Sequence, residues 1–205
     1  MDTYTNLIIW WIIFFSVHST MASSQLKNRI NSLGSRIKSA YRLVFNIVAI
    51  ILLVPIVYEY IQIPAEYIYP PQTLYQILGA ILSTVGLYIL VAGFKNYRAD
   101  EFIGTYQLKN SHDFHPAKLS RNGWNGIVRH PLYFGTIVFI AGLNLVFPVI
   151  KLGITSLLLI GYLYIGTWWE EKKLISEFGQ EYRDYKSEVS MLIPLKWIIG
   201  KFRKV

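Results

Sequence analysis

Residues 74–94 read LYQILGAILSTVGLYILVAGF, a stretch that contains no charged side chain. An α-helix needs about 20 consecutive apolar residues to cross the hydrocarbon core of a bilayer. Further apolar runs lie on both sides of this stretch, at residues 5–22, 43–61, 133–150 and 152–169. Together the runs predict an all-α fold, a polytopic membrane helix bundle with about five transmembrane helices.

The composition supports this fold and excludes several kinds of site. Of the 205 residues 53% are hydrophobic and 16% charged, whereas soluble domains carry about 25% charged residues. The absence of cysteine excludes disulfides, thiolate nucleophiles and cysteine-bound metals. The net charge of +8 lies in short segments between the apolar runs, which is typical of membrane topology. We therefore expect the lipid bilayer as a partner, and no nucleic acid.

The loop charges predict an orientation. Lys and Arg are frequent in residues 23–42, in residues 95–131 and after Trp169, whereas residues 62–73 contain neither. Since cytoplasmic loops carry the excess of Lys and Arg, we expect the N-terminus outside and the C-terminus inside. The residues before the first run contain no Lys or Arg, so this run is interpreted as a retained helix and not as a cleaved signal. A multi-pass protein of the inner or plasma membrane follows, if the source is prokaryotic.

Three glycines in the central run point to close helix packing. Gly79, Gly86 and Gly93 are spaced by seven residues, nearly two helical turns, and so share one stripe of a helix. Small residues allow membrane helices to approach closely. We predict a packing seam along this stripe.

Two polar clusters flank the last two apolar runs. The stretch RHPLY at residues 129–133 precedes the fourth run, and Glu170 and Glu171 follow the fifth. The turn between these runs is short, which makes them antiparallel neighbours and brings both clusters to the same end. Pro131 suits the first position of a helix, and the N-terminus of a helix attracts a carboxylate or phosphate. The carboxylates of Glu170 and Glu171 suit an amine or another cation. A ligand with both a carboxylate and a positive charge, such as S-adenosylmethionine (SAM), fits this pair of clusters; alternatively, the charges only anchor the two spans.

Histidines elsewhere give weaker signals. His112 and His115 flank Asp113 in the long loop, but spacing supplies no third ligand, so no metal site is predicted. His18 lies inside the first run, where an ionisable residue is either functional or part of a helix–helix hydrogen bond.

A resemblance is carried by two spaced motifs. They are GxxxxxRHPxYxG at residues 123–135 and EExxLxxxFGxxYxxY at residues 170–185, followed by Val189 and Pro194. This pattern resembles the isoprenylcysteine carboxyl methyltransferase family, within a wider group that includes membrane phospholipid methyltransferases. The likeness covers residues 102–194 and extends to features of the first helix.

The resemblance implies SAM as methyl donor, S-adenosylhomocysteine as product, and a cytosolic cofactor pocket. It implies a single integral membrane methyltransferase domain over residues 1–205, with three helices in 1–94 and the SAM-binding catalytic part in 95–194. The acceptor would be a lipophilic small molecule or a lipid-modified molecule, methylated by in-line transfer. Arg129 and Glu170 would be catalytic. The cofactor-binding residues would be Gln107, Leu119, Ser120, Asn125, His130, Pro131, Leu132, Tyr133, Glu170 and Glu171.

Two alternatives stay open at this point. NADPH-dependent membrane sterol and enone reductases share a motif like Arg-His-Pro-x-Tyr, but they usually have Asn where this chain has Leu132 and an Asp-rich segment in place of Glu170 and Glu171. A membrane accessory protein without catalytic activity is the other. Binding of SAM or of NADPH separates these hypotheses.

Overall fold

The computed structural model describes residues 3–95, 99–103, 105–106 and 119–202. Within these residues the chain is helical, without a β-strand, and includes a 3₁₀ turn at Gly123–Gly126. The α-helices are α1 (Thr5–Ala22), α2 (Ser24–Asn31), α3 (Ser35–Gln62), α4 (Thr73–Phe94), α5 (Ala99–Ile103), α6 (Pro131–Val146), α7 (Ile150–Phe178), α8 (Gln180–Glu188) and α9 (Leu195–Phe202). Helices α1, α3, α4 and α7 are long and apolar enough to cross a membrane. The predicted polytopic helical membrane bundle is confirmed.

The chain divides into two compact units. One comprises Met1–Ala65 and Tyr97–Pro116, and the other comprises Glu66–Asn96 and Ala117–Val205. Helix α4 therefore groups with the C-terminal half of the chain, which contains the predicted site, and not with the helices that precede it.

In the first unit, aromatic rings cover the inner face of α1. Leu7 and Trp11 are buried. The His18 ring stacks on Phe14 at 5.3 Å between centroids and lies 4.7 Å from Phe45 of α3. His18 thus packs among apolar rings near the C-terminal end of α1.

In the second unit, α4 packs tightly against α6 along the glycine stripe. A Cβ atom on Gly86 would lie 2.3 Å from the Phe139 amide nitrogen, and one on Gly79 would lie 2.6 Å from the Gly142 carbonyl. Contacts at Gly93 are wider, 3.3 Å to the nearest side chain. The predicted packing seam is confirmed, and it fixes the position of α6, which carries the Arg-His-Pro motif at its start.

Helices α6 and α7 form an antiparallel pair joined by a short connection. Residues 147–149 alone connect them, as the sequence predicted, and Asn144 of α6 donates a 2.7 Å hydrogen bond to the Ser156 hydroxyl of α7. Helix α6 has 16 residues and a length of about 24 Å, against a hydrocarbon core of about 30 Å. The predicted fourth span is thus a shorter apolar helix than the other four.

Helix α7 continues further than the apolar run indicates. The run ends at Trp169, but the helix extends to Phe178, so Glu170 and Glu171 lie within it and not at its exit. Glu and Lys are good helix formers, so loss of hydropathy marks where the helix leaves the apolar layer and not where it ends. The end is set by Gly179, whose φ of 57° is in the left-handed region.

The tail is divided into separate helices. The helical spacing of Phe178, Tyr182 and Tyr185 by itself predicts one amphipathic helix over residues 172–189, but Gly179 divides this stretch between α7 and α8. The chain reverses at this glycine, so α8 returns towards the start of α6. Pro194 lies immediately before α9.

Candidate functional site

The segment after α8 holds the start of α6 in place. Val128 and Ser190 form a parallel β-bridge. The Arg129 amide donates to the Ser190 carbonyl at 2.9 Å, and the His130 amide donates to the Met191 carbonyl at 3.2 Å. Two residues of the Arg-His-Pro motif are therefore fixed through their backbones by residues 61 positions further along the chain.

The α6 N-terminus begins as the sequence predicts. Pro131 occupies the first helical position, and His130 precedes it without a side-chain cap. The first amide groups of a helix have no partner within that helix, and they lie at its positive end. Leu132 and Tyr133, both predicted to contact a cofactor, lie in this first turn.

The Arg129 side chain is buried and donates four hydrogen bonds. Its Nε donates to Glu171 Oε1 at 2.7 Å, and a terminal guanidinium nitrogen donates to the same oxygen. The other terminal nitrogen donates to the carbonyls of Lys186, at 3.2 Å, and of Val189. The second Glu171 oxygen is 2.8 Å from Lys186 Nζ. Arg129, Glu171 and Lys186, hereafter the Arg129 cluster, thus join the start of α6 to α7 and α8.

The neighbouring carboxylate has a different environment. The Glu170 side chain is 42% exposed, whereas that of Glu171 is 4% exposed. Glu170 Oε2 lies 3.5 Å from His130 Nδ1, and Tyr133 and Lys173 are also close to this carboxylate. Successive residues of a helix point about 100° apart, so Glu171 faces the buried Arg129 whereas Glu170 faces His130 and solvent.

His130 connects the two carboxylates. Its ring stacks on Tyr133 with an interplanar angle of 3° and a centroid distance of 5.6 Å. The buried Nε2 atom lies 3.6 Å from Glu171 Oε1, beyond hydrogen-bond length, and has no hydrogen-bond partner. Burial lowers the pKa of the imidazole, but the two carboxylates outweigh burial, so the pKa of His130 is raised above its usual value.

Tyr182 adds a second buried polar atom. Its hydroxyl is buried and forms no hydrogen bond of acceptable geometry within the described chain, although it lies in the field of Arg129 and Glu171. Burial and the Glu171 charge raise the pKa of Tyr182, so the hydroxyl keeps its proton and remains a donor. The hydroxyl of Tyr185, one turn further along α8, instead donates to the Asn125 carbonyl at 2.6 Å.

The loop before the motif packs on the same helix. Asn125 Nδ2 donates to the Ser120 carbonyl at 3.1 Å, and Leu119 directly precedes that residue. Arg121 donates to the Glu181 carbonyl at 2.7 Å. Leu119, Ser120 and Asn125 thus lie in a loop that packs against α8, while the residues at positions 130–133, 170 and 171 meet at the start of α6.

Some predicted residues of this region lie outside the described part of the chain, and one residue of the site was not predicted. Gln107 lies outside the described residues, and so do His112 and His115. Lys186 was not predicted, although it forms an ion pair with a predicted residue. It follows Tyr182 by four positions, and this helical spacing is the signal that places both on one face of α8.

The arrangement suits an organic ligand of mixed charge. It offers a half-exposed carboxylate, a helix N-terminus and two buried polar atoms with unused hydrogen-bonding capacity. In the described part of the chain, no group of three His, Asp or Glu side chains is placed to hold a metal ion. A ligand that carries a carboxylate and a cation complements these features.

Comparison with protein families shows to which family this chain belongs. The family described as NnrU protein matches residues 6–200. This chain belongs to the NnrU family. No solved structure matches it.

Curated relatives of this NnrU-family chain are methyltransferases. A methanethiol S-methyltransferase of Pseudomonas deceptionensis is 41% identical over 69 residues, which is 33% of this chain and 25% of that protein. Methanethiol S-methyltransferase 1 of Bradyrhizobium diazoefficiens is 45% identical over 74 residues, 33% of this chain and 23% of that protein. The enzyme of Mycobacterium tuberculosis is 38% identical over 74 residues, 33% of this chain and 27% of that protein. The chain thus spans about a quarter of the length of the curated relatives it matches. These findings confirm the resemblance to membrane methyltransferases of the isoprenylcysteine carboxyl methyltransferase-like kind.

Proposed function

We propose that this NnrU-family protein is a SAM-dependent methyltransferase that acts on a lipophilic or membrane-associated acceptor. The observation that carries the proposal is the difference between two adjacent carboxylates. Glu171 is compensated by Arg129 and Lys186, whereas Glu170 is 42% exposed beside the α6 N-terminus. A carboxylate that is only partly compensated, next to a helix N-terminus, matches the ammonium and carboxylate of an amino-acid ligand.

The residues at the start of α6 fit SAM. The first-turn amides and His130 would hold its carboxylate, and Glu170 would hold its ammonium group. His130 Nε2 and the Tyr182 hydroxyl are buried without hydrogen-bond partners, and such groups cost free energy until a ligand satisfies them. Leu119, Ser120 and Asn125 would contribute from the preceding loop, and Pro131, Leu132 and Tyr133 from the first turn. Gln107 stays a prediction.

The protein would act by binding and orientation. When bound, SAM would supply a methyl group activated by a sulfonium: a nucleophile in line would bond to the methyl carbon as the carbon–sulfur bond breaks, and the sulfur would keep the bonding pair and leave as S-adenosylhomocysteine. Glu170 would fix one end of the cofactor, so that the acceptor meets the methyl carbon at the productive angle. His130 keeps its proton to higher pH than a free imidazole, because its pKa is raised, so it suits holding an anion better than removing a proton. Arg129, occupied by Glu171 and two carbonyls, would position these groups without touching the acceptor.

The acceptor class is proposed from the relatives and from the membrane setting. The relatives are named for transfer to methanethiol, a small apolar thiol. We propose a thiol, which would react as the thiolate after losing its proton to solvent, or another nucleophile that reaches the start of α6 from the bilayer. Purified protein in nanodiscs, supplied with methyl-labelled SAM and methanethiol, longer alkyl thiols or an S-prenylated cysteine, would show which class takes the label.

SAM binding is the first test. Calorimetry in detergent compares the unchanged protein with Glu170→Gln, and uses Glu181→Gln, an exposed carboxylate of α8, as control. Hydrogen bonds to charged groups contribute about 1.5–3 kcal/mol, so we expect Glu170→Gln to weaken SAM binding by about 10- to 100-fold. The control should bind SAM as the unchanged protein does.

Three results would contradict the proposal. The first is SAM binding that Glu170→Gln leaves intact. The second is a thermal shift caused by NADPH but not by SAM, which would favour the reductase hypothesis. Failure of both ligands to bind would favour the accessory-protein hypothesis.

A further inference from the structure

Helix α9 presents its apolar stripe away from the protein. Leu195, Ile198, Ile199 and Phe202 occupy positions i, i+3, i+4 and i+7, the spacing of one helix face. All four side chains are exposed, from 39% for Ile198 to 78% for Phe202. An amphipathic helix of a soluble domain turns this stripe towards its own core, so here the apolar partner lies outside the described chain.

The opposite face of α9 turns towards the protein. Lys196, Trp197, Gly200 and Lys201 line a cleft whose other wall includes residues 126–127. Lys201 Nζ lies 4.1 Å from the centre of the Trp197 ring. Trp and Lys together are typical of the boundary between headgroups and acyl chains, because both combine an apolar body with a polar end.

The orientation of α9 is fixed by its first turn. Lys196 Nζ donates to the carbonyls of Lys186, at 2.9 Å, and Ser187, at 2.6 Å. The Lys196 amide donates to the Ser190 hydroxyl at 2.9 Å. These contacts tie α9 to the end of α8 and leave the apolar stripe no route to the interior of its own unit.

The basic residues in and after α9 indicate which kind of surface the helix binds. Glu188 is the last acidic residue of the sequence, and the segment that follows carries Lys196, Lys201, Arg203 and Lys204. Lys196 is occupied by carbonyl groups, so the cations towards the end of the segment give it its charge. A polybasic segment with an apolar helix face binds anionic lipid surfaces.

We propose that α9 is a docking helix that lies on the bilayer surface, with its apolar stripe among the acyl chains and its terminal cations on anionic phospholipid headgroups. Ser190, which the α9 amide contacts, also accepts from the Arg129 amide, so the docked helix anchors the segment that holds the start of α6. An influence of lipid charge on methyl transfer would rest on the proposed function; the docking itself does not.

The test uses the absence of cysteine from the natural sequence. A nitroxide is attached to Ile199→Cys on the stripe and, as control, to Glu181→Cys on the exposed face of α8. Accessibility to oxygen and to a water-soluble nickel chelate is measured by electron paramagnetic resonance in nanodiscs. One set of discs contains phosphatidylcholine with phosphatidylglycerol, and the other contains phosphatidylcholine alone.

We expect the Ile199 label to favour oxygen in the anionic discs, and the Glu181 label to favour the chelate in both. Each cation near an anionic surface contributes roughly a fivefold preference. Changing Lys201, Arg203 and Lys204 to Gln should therefore reduce the oxygen preference at Ile199, while changing Lys38, Lys151 and Arg183 to Gln should not.

Three outcomes would overturn the proposal. The Ile199 label accessible to the chelate in anionic discs would exclude membrane docking. Equal depth in both kinds of disc, unchanged by the triple variant, would exclude the anionic headgroups. Dipolar coupling between labels on two chains would identify a second copy as the occupant. None of these readings depends on SAM, so they are distinct from a failure of the proposed function.

Discussion

The glycine seam and the Arg129 cluster both hold helix α6 in place, but they are built on opposite principles. The seam (Gly79, Gly86 and Gly93 of α4 against Gly135 and Gly142 of α6) works by the absence of side chains. The Arg129 cluster holds the start of α6 with a buried guanidinium, a buried carboxylate and a lysine.

The difference teaches how each region responds to change. A seam of van der Waals contact fails when atoms are added, because backbone cannot move aside. A buried charged cluster fails when one member is removed, because the remaining charge keeps its desolvation cost without its partner. Both regions place α6, but only the cluster lies next to the proposed ligand.

The largest expected effect comes from breaking the cluster. Glu171→Gln keeps the shape but leaves the buried Arg129 guanidinium without a counter-charge, so we expect a loss of about 3–5 kcal/mol in unfolding free energy. Glu170→Gln, the adjacent and half-exposed carboxylate, is the matched control and should cost less than 1 kcal/mol, roughly the value of an exposed ion pair. Denaturant unfolding in detergent measures both. Equal losses would refute the assignment of different roles to the two residues.

The next effect comes from adding an atom to the seam. Gly86→Ala places a Cβ 2.3 Å from a backbone nitrogen of α6, so we expect a loss of about 1–3 kcal/mol. Gly161→Ala in α7 meets nothing within 4 Å and should be neutral or stabilising by up to about 1 kcal/mol. The melting temperature of Gly86→Ala should fall while that of Gly161→Ala stays the same or rises, and a loss of similar size in both variants would contradict the seam.

A smaller effect is expected at Lys186, the outer member of the cluster. Its side chain is 46% exposed, and Arg129 still compensates Glu171 when it is absent. Lys186→Met should therefore cost at most about 1 kcal/mol. Arg183→Met, which removes a cation from an exposed position of the same helix, is the control. A loss as large as that for Glu171→Gln would show that Lys186, and not Arg129, is the main partner.

The smallest expected effect is a pH dependence from His130. Because its pKa is raised in the folded protein, its contribution to stability is complete below the unfolded value, about pH 6.5, and is lost as pH rises through the folded pKa. His130→Gln should remove this part of the pH dependence. Melting temperatures of both proteins between about pH 5 and pH 9 test this, since the groups that face His130 are Glu170 and Glu171. A difference between the two proteins that does not vary with pH would exclude the coupling.

Local pattern was sufficient for much of the fold. The apolar runs predicted the long helices, Pro131 predicted the start of α6, and the seven-residue spacing predicted the seam. The local pattern gave the wrong helix end where a helix continues beyond the apolar run. Helix α7 continues through Glu170 and Glu171 because Glu and Lys favour helix in water as well, and Gly179, not the change in polarity, ends it.

The candidate site was only partly predictable, because some of its contacts join segments that are far apart in the chain. The motif and the short turn predicted that the start of α6 and the two glutamates lie close together, and the structure brings His130 within 3.5 Å of Glu170. The pairing of Lys186 with Glu171 was missed because the helical spacing places Lys186 on a face of α8 but does not show which side chain of another helix lies opposite. Gln107 remains a prediction.

The sequence by itself determined that this chain is a helical membrane protein, where its apolar helices lie, and which motif relates it to methyltransferases. These properties depend on residues near one another in the chain, where spacing and hydropathy decide. Only the tertiary structure decided that Arg129 and Lys186 form ion pairs with Glu171, that Glu170 stays half exposed, and that the apolar stripe of α9 faces outward. Adjacent residues with identical chemistry acquire different environments when distant segments pack against one side of their helix and not the other.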